Sequence, residues 1–153
     1  MTNFLIVLVT FFIMEFVAWF THKYIMHGLL WSLHRDHHVK NTKRWFERND
    51  FFFLIFAIPS VILFYFGVQD SLTTPFFIGL GILIYGMCYF LVHDTFIHQR
   101  FKFLKQTNNS YLRALRKAHK VHHKSLGKYH GSCFGMLVVP WKYVREARES
   151  AKS

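Results

Sequence analysis

Three long apolar runs divide the chain. They cover residues 4–20 (FLIVLVTFFIMEFVAWF), 51–68 (FFFLIFAIPSVILFYFGV) and 76–92 (FFIGLGILIYGMCYFLV), each 17–18 residues long. As helix, such a run measures about 26 Å at ~1.5 Å per residue, close to the hydrocarbon thickness of a bilayer. The first run is broken only by Thr10 and Glu15. It has no basic residues before it and no small-residue cleavage site, so it predicts an uncleaved membrane helix and not a signal peptide. Pro59 is expected to kink the second span, which neighbouring helices can tolerate. The polar linker Gln69–Pro75 closes the second and third spans into a hairpin.

Beyond residue 92 the pattern changes. Ser110 can cap a helix beginning at Tyr111, and Gly127 can end it. Within it Leu112, Leu115, His119, His122 and His123 recur at three- and four-residue steps. The stretch Cys133–Trp141 (CFGMLVVPW) is apolar but too short to span, which predicts an interfacial or re-entrant segment that helps cover a site. The last dozen residues, rich in Arg and Glu, read as a solvated or frayed helix. The fold class that follows is an all-α membrane protein: three to four transmembrane helices with a cytoplasmic helical cap, in a single domain over 1–153.

Charge sets the orientation. The chain is 52% hydrophobic, yet its formal net charge is +11. Residues 1–21 and 51–92 carry no Lys or Arg; six lie in 22–50 and thirteen in 93–153. A nucleic-acid binder would present its charge as a free patch or tail; here it alternates with apolar spans. The positive-inside rule accounts for it, with 22–50 and 93–153 cytoplasmic and the N-terminus outside. Cys88 and Cys133 have no ligand spacing and read as small buried residues.

The same two cytoplasmic stretches hold every histidine. Ten of the eleven form two matching pairs of motifs: His22-x4-His27 with His34-x2-His37-His38, and His93-x4-His98 with His119-x2-His122-His123. Only His130 stands apart. Imidazole is the commonest protein ligand for a transition metal. On an α-helix, positions i, i+3 and i+4 fall within roughly 100°, so each triad presents three imidazoles from one face, the geometry for gripping a metal from one helix. A five-residue step turns about 140° on a regular helix, so each x4 pair either reaches two different metals or needs a local loosening of the helix. Ten imidazoles suit two metals of five or six coordination, each with a position left for water or oxygen. A structural zinc would need only four ligands. Met26, next to His27, is the one sulfur-bearing residue adjacent to a motif histidine; a single thioether does little to favour Cu(I), so iron fits the donor set best. Asp36 and Asp94, inside the motifs, are natural partners for imidazole N–H groups. Glu15, within a span and near one end of it, is either hydrogen-bonded to the site or a snorkelling or protonated residue.

The order HX4H, HX2HH, HX4H, HX2HH on a chain this short resembles the bacterial beta-carotene 3-hydroxylases. These sit within the broader membrane fatty-acid hydroxylase group with histidine-rich di-iron sites. The likeness includes the apolar span before His22, the helix carrying His119–His123, and Phe-Gly-Met-Leu-Val-Val-Pro at 134–140. The resemblance implies that the ten motif histidines (His22, His27, His34, His37, His38, His93, His98, His119, His122 and His123) hold two irons. It implies O2 activation with electrons from a ferredoxin-type donor and ultimately NAD(P)H. It further implies hydroxylation at C3 of the β-ionone ring, from beta-carotene through beta-cryptoxanthin to zeaxanthin, at the bacterial inner membrane. A membrane fatty-acid or sterol hydroxylase or a desaturase would use the same metals on another chain. A metal transporter would need polar residues threading the spans, and apart from Glu15 the spans offer none.

Overall fold

A computed structural model describes residues 1–39, 46–69, 71–101 and 105–151. Asp70 of the predicted linker lies outside the described residues. Among the described residues six α-helices form: α1 (Thr2–Phe20), α2 (Trp31–His38), α3 (Phe53–Gly67), α4 (Thr74–Tyr89), α5 (Ser110–His122) and α6 (Trp141–Glu149). There is no strand among the described residues. Two of the helices do not stop where their apolar run stops. α1 continues as a π-helix over Thr21–Leu29, and α4 as a π-helix over Phe90–Ile97.

Among the described residues three continuous helical stretches are long and apolar enough to cross a membrane: Thr2–Leu29, Arg48–Gly67 and Thr74–Ile97. The chain is thus an all-helical membrane protein with three candidate spans. The first stretch, at 28 residues, reaches about 40 Å as helix. Its last turns therefore rise beyond the hydrocarbon with their histidines attached. Large apolar side chains such as Phe4, Phe12, Ile58, Val61 and Met87 face outward, as a lipid-facing surface requires.

α4 lies between α1 and α3 and packs against both. Apolar side chains give little drive to pair helices in lipid, so close backbone approach and polar contacts matter more. Ser60 Oγ donates to Gly79 O at 2.9 Å, tying α3 to α4. At Gly81 a Cβ would fall 2.6 Å from Thr10 Cβ and 2.8 Å from Val7 O, so α1 and α4 touch there because the side chain is missing. α3 runs unbroken through Pro59. That residue lines an apolar cavity of about 130 Å³ with Met14, Val17, Ile55, Phe56 and Ile82, where α1 and α3 stand apart.

The cap has a small core of its own. Ala114 and Ala118 of α5 meet Tyr143, Val144 and Ala147 of α6. The C-terminal segment is therefore a docked helix and not a frayed one, because its apolar residues fall on one face. Asn109, not Ser110, caps α5: its Oδ1 accepts from the N–H groups of Tyr111 and Leu112 at 2.9 and 3.1 Å. Asn and Ser are nearly equivalent caps, and here the carbonyl-bearing side chain one residue earlier wins. α5 ends at His122, short of Gly127.

Gly81→Val should separate α1 from α4 and lower stability by about 1–3 kcal/mol. Gly86→Ala, at a site with nothing within 4 Å, should leave it unchanged or raise it. Thermal unfolding in detergent distinguishes the two; equal melting temperatures would contradict the close approach.

Candidate metal centre

The π-helical turns explain the HX4H spacing. A π-helix closes i→i+5 hydrogen bonds and is rare outside functional sites. Leu30 N–H donates to Ile25 O at 2.7 Å, and His98 N–H to His93 O at 2.9 Å. Residues five apart then share a face. The rings of His22 and His27 come within 5.3 Å of each other, and those of His93 and His98 within 4.5 Å. Of the two alternatives for a five-residue step, the local loosening of the helix is the one observed.

The ring nitrogens gather in two groups. His22, His27, His34, His38 and His122 form one; His37, His93, His98 and His119 form the other; within each group the nitrogens lie within 4.8 Å of one another. His123 joins the edge of the second group, its Nε2 2.8 Å from that of His119. The triads do not each serve one group. On α2, His34 and His38 turn to the first group and His37 to the second. On α5 and its C-cap, His119 and His123 turn to the second and His122 to the first. Each helix contributes an i, i+4 pair to one group and its i+3 residue to the other, so α2 and α5 brace both. The groups adjoin: the rings of His38 and His123 stack at 4.5 Å.

The outer nitrogens are tied down. His22 Nδ1–H donates to Phe134 O (3.0 Å), His27 to Lys128 O (3.3 Å), His38 to Ser125 O (2.9 Å) and His122 to Ser132 O (2.8 Å). His34 Nδ1–H donates to Asn49 Oδ1 (2.6 Å), His37 to Glu47 Oε2 (2.8 Å) and His93 to Asp94 Oδ2 (3.3 Å). Every one of these partners is an acceptor, so Nδ1 carries the proton and Nε2 is a bare lone pair. Those lone pairs face each other at close range: His22 to His34 at 3.2 Å, His34 to His38 at 3.1 Å, His27 to His122 at 3.2 Å, His37 to His93 at 3.1 Å. Two lone pairs cannot hydrogen-bond. Nitrogens held ~2.0–2.1 Å from one cation stand roughly 3 Å apart at right angles and roughly 4 Å apart when opposed. The donor set fits a metal ion in each group.

The residues behind the imidazoles come from two segments. Glu47 and Asn49 belong to the turn ahead of α3, which Asp50 pins by accepting from Glu47 N–H at 3.0 Å. Arg100 joins Asp50 (2.7 Å), Glu47 (3.3 Å) and Asp94 (3.3 Å). The sequence singled out neither Glu47 nor Asn49. Their signal was weak: a short polar stretch before an apolar run. Asp36 sits elsewhere, with Oδ2 accepting from Arg48 N–H at 2.6 Å.

The second segment is the stretch Lys128–Val138, a strap across the first group. His130 and Cys133 adopt φ of 66° and 60°, in the left-handed region that non-glycine residues rarely occupy. Between and beside them the chain turns the carbonyls of Ser132 and Phe134 onto His122 and His22. The Phe134 ring lies 5.1–5.5 Å from those of His22, His27 and His122. His130 itself is exposed and in neither group. Glu15 fastens the strap from within the span. Its carboxylate accepts from the N–H groups of Met136, Leu137 and Val138, each at 3.0 Å, and from Tyr85 OH at 2.8 Å.

Burial favours the neutral form of His34, His37, His38, His119 and His122. It pushes His34 down to about 2, His122 to about 3 and His38 to about 4, against the usual 6.5. Burial, reinforced by neighbouring imidazoles, holds His37 and His119 well below that value. Neutral imidazole is the metal-binding form.

Comparison with known proteins adds the following. Residues 7–145 match the fatty acid hydroxylase family. A "Beta-carotene hydroxylase" of Paracoccus sp. (strain N81106 / MBIC 01143) is 39% identical over 141 residues, 92% of this chain and 86% of the relative. A "Beta-carotene hydroxylase" of Pantoea ananas is 42% identical over 138 residues, 90% and 78% of the two chains. "Beta-carotene 3-hydroxylase 2, chloroplastic" of Arabidopsis thaliana is 38% identical over 130 residues, 83% and 42% of the two chains. No solved structure matches the chain.

Because the folded histidines hold protons less well than the unfolded ones, the unfolded chain takes up protons first as pH falls. Stability of the metal-free protein should be full above about pH 6.5 and decline below it, on the order of 1 kcal/mol per pH unit for each such histidine. Unfolding followed at pH 7.5 and pH 5 measures this; equal stability at both would mean the rings are not buried as described.

Proposed function

The chain belongs to the fatty acid hydroxylase family, and from that premise we propose that it hydroxylates the β-ionone ring of beta-carotene at C3, giving beta-cryptoxanthin and then zeaxanthin. The observation that carries this reading is the convergence of bare Nε2 lone pairs in two adjoining groups. The ten motif histidines hold two irons. Bound there, the irons supply the O2 activation that an unactivated C–H bond requires; zinc, which has no redox chemistry, would not. One oxygen atom enters the substrate and the other leaves as water, with two electrons and two protons consumed per hydroxyl. The electrons come from a ferredoxin-type donor.

The chain's own residues do the rest. Carbonyls of the strap, with Asn49, Glu47 and Asp94, hold the rings in one tautomer, so nothing need reorganise when metal binds. Phe134 and Trp31 close apolar faces over the first group and keep water from it. The cavity among α1, α3 and α4 is apolar and suits a hydrocarbon chain arriving from the bilayer. A polyene lying in the membrane presents its terminal ring at the depth where the spans end and the histidines begin. The distribution of Lys and Arg supports a cytoplasmic position for that end, at a bacterial inner membrane.

The substrate follows from the relatives' names together with the apolar spans. Expression in a beta-carotene-producing host, with pigments separated by chromatography, is the test: hydroxylated carotenoids should accumulate. Replacing His34 or His122 by alanine should abolish them and lower bound metal while the protein still inserts. Unchanged beta-carotene with the intact chain, or full hydroxylation with either variant, would contradict the reading.

A further inference from the structure

The two groups of imidazoles differ in what stands behind them. In the first, all five Nδ1–H groups donate to neutral oxygens: four main-chain carbonyls and the Asn49 amide. In the second, His37 and His93 donate to carboxylates, Glu47 and Asp94. Asp50 joins the same cluster through Arg100. Among the described residues these three carboxylates, joined by Arg100, stand beside the second group. No charged side chain accepts from an imidazole of the first. A carboxylate behind an imidazole makes the ring a stronger donor through its other nitrogen. The carboxylates are half-buried, so their attraction for a cation is weakly screened.

We propose that the two metal positions are unequal, the one around His37 and His93 taking its ion first and holding it more tightly than the one around His22, His27, His34, His38 and His122. Arg100 is a positioning residue for this difference: it keeps Glu47 and Asp94 pointed at their rings. The inequality rests on the reading that the histidines hold a pair of metals. It goes beyond that reading by assigning an order of filling and a cause.

The test is anaerobic titration of the full-length, metal-free protein in detergent. With ⁵⁷Fe(II), one equivalent should give a single Mössbauer doublet, and a second doublet should grow only with the second equivalent. With Co(II), followed by visible absorption, the two affinities should differ at least tenfold. Glu47→Gln and Asp94→Asn, checked by circular dichroism for retained helix, should each weaken the tighter step by about tenfold to a hundredfold. Asn49→Ala, which removes the partner of His34, should weaken only the looser one. Two doublets growing together from the first addition would overturn the inequality, as would a tighter step unmoved by both carboxylate variants. Fewer than two irons at saturation would instead overturn the two-metal reading on which it rests.

Discussion

The centre of this protein depends on where each imidazole directs its single N–H. A neutral ring has one proton and one lone pair. Wherever an oxygen accepts the Nδ1 proton from behind, the Nε2 lone pair is left pointing forward. Seven rings are held this way, and their Nε2 lone pairs meet 3.1–3.2 Å apart with no proton between them to form a hydrogen bond. The arrangement is costly without a cation and favourable with one. The rest of the fold brings acceptors behind these rings: the turn before α3, the strap from Lys128 to Val138, and the carboxylates gathered by Arg100.

Glu15 shows how far that requirement reaches. A carboxylate inside a membrane span is expensive. Here three consecutive main-chain N–H groups and a tyrosine hydroxyl satisfy it. The strap carries those N–H groups, and a few residues earlier it carries the carbonyls that orient His22 and His122. α1 thus holds the anchor at Glu15 and its π-helical continuation holds His22, and the strap is gripped at both. The intramembrane charge belongs to the support of the site and lies outside the imidazole groups.

Much of this was legible in the sequence. The three spans, the all-helical class and the clustering of histidines beyond the span ends follow from hydropathy and spacing. The five-residue step was legible as a conflict with a regular helix, and the π-helical turns over Thr21–Leu29 and Phe90–Ile97 resolve it. What the sequence did not display are facts about distance through space. The i+3 histidine of each triad crosses to the other group because α2 and α5 face each other across the centre, and a helical wheel for one helix cannot show that. Glu47 and Asn49 are ordinary polar residues until the turn ahead of α3 folds back over α2. The C-terminal helix looked solvated because its charges outnumber Tyr143, Val144 and Ala147, yet those three meet the small residues Ala114 and Ala118.

X-ray absorption at the iron edge of the purified, catalytically active protein tests the central claim most directly. Converging imidazoles predict about two irons per chain, an inner shell of nitrogen and oxygen only, and the multiple-scattering pattern of several histidine rings on each. Sulfur in that shell, an absence of imidazole scattering, or activity from protein containing no iron would contradict it.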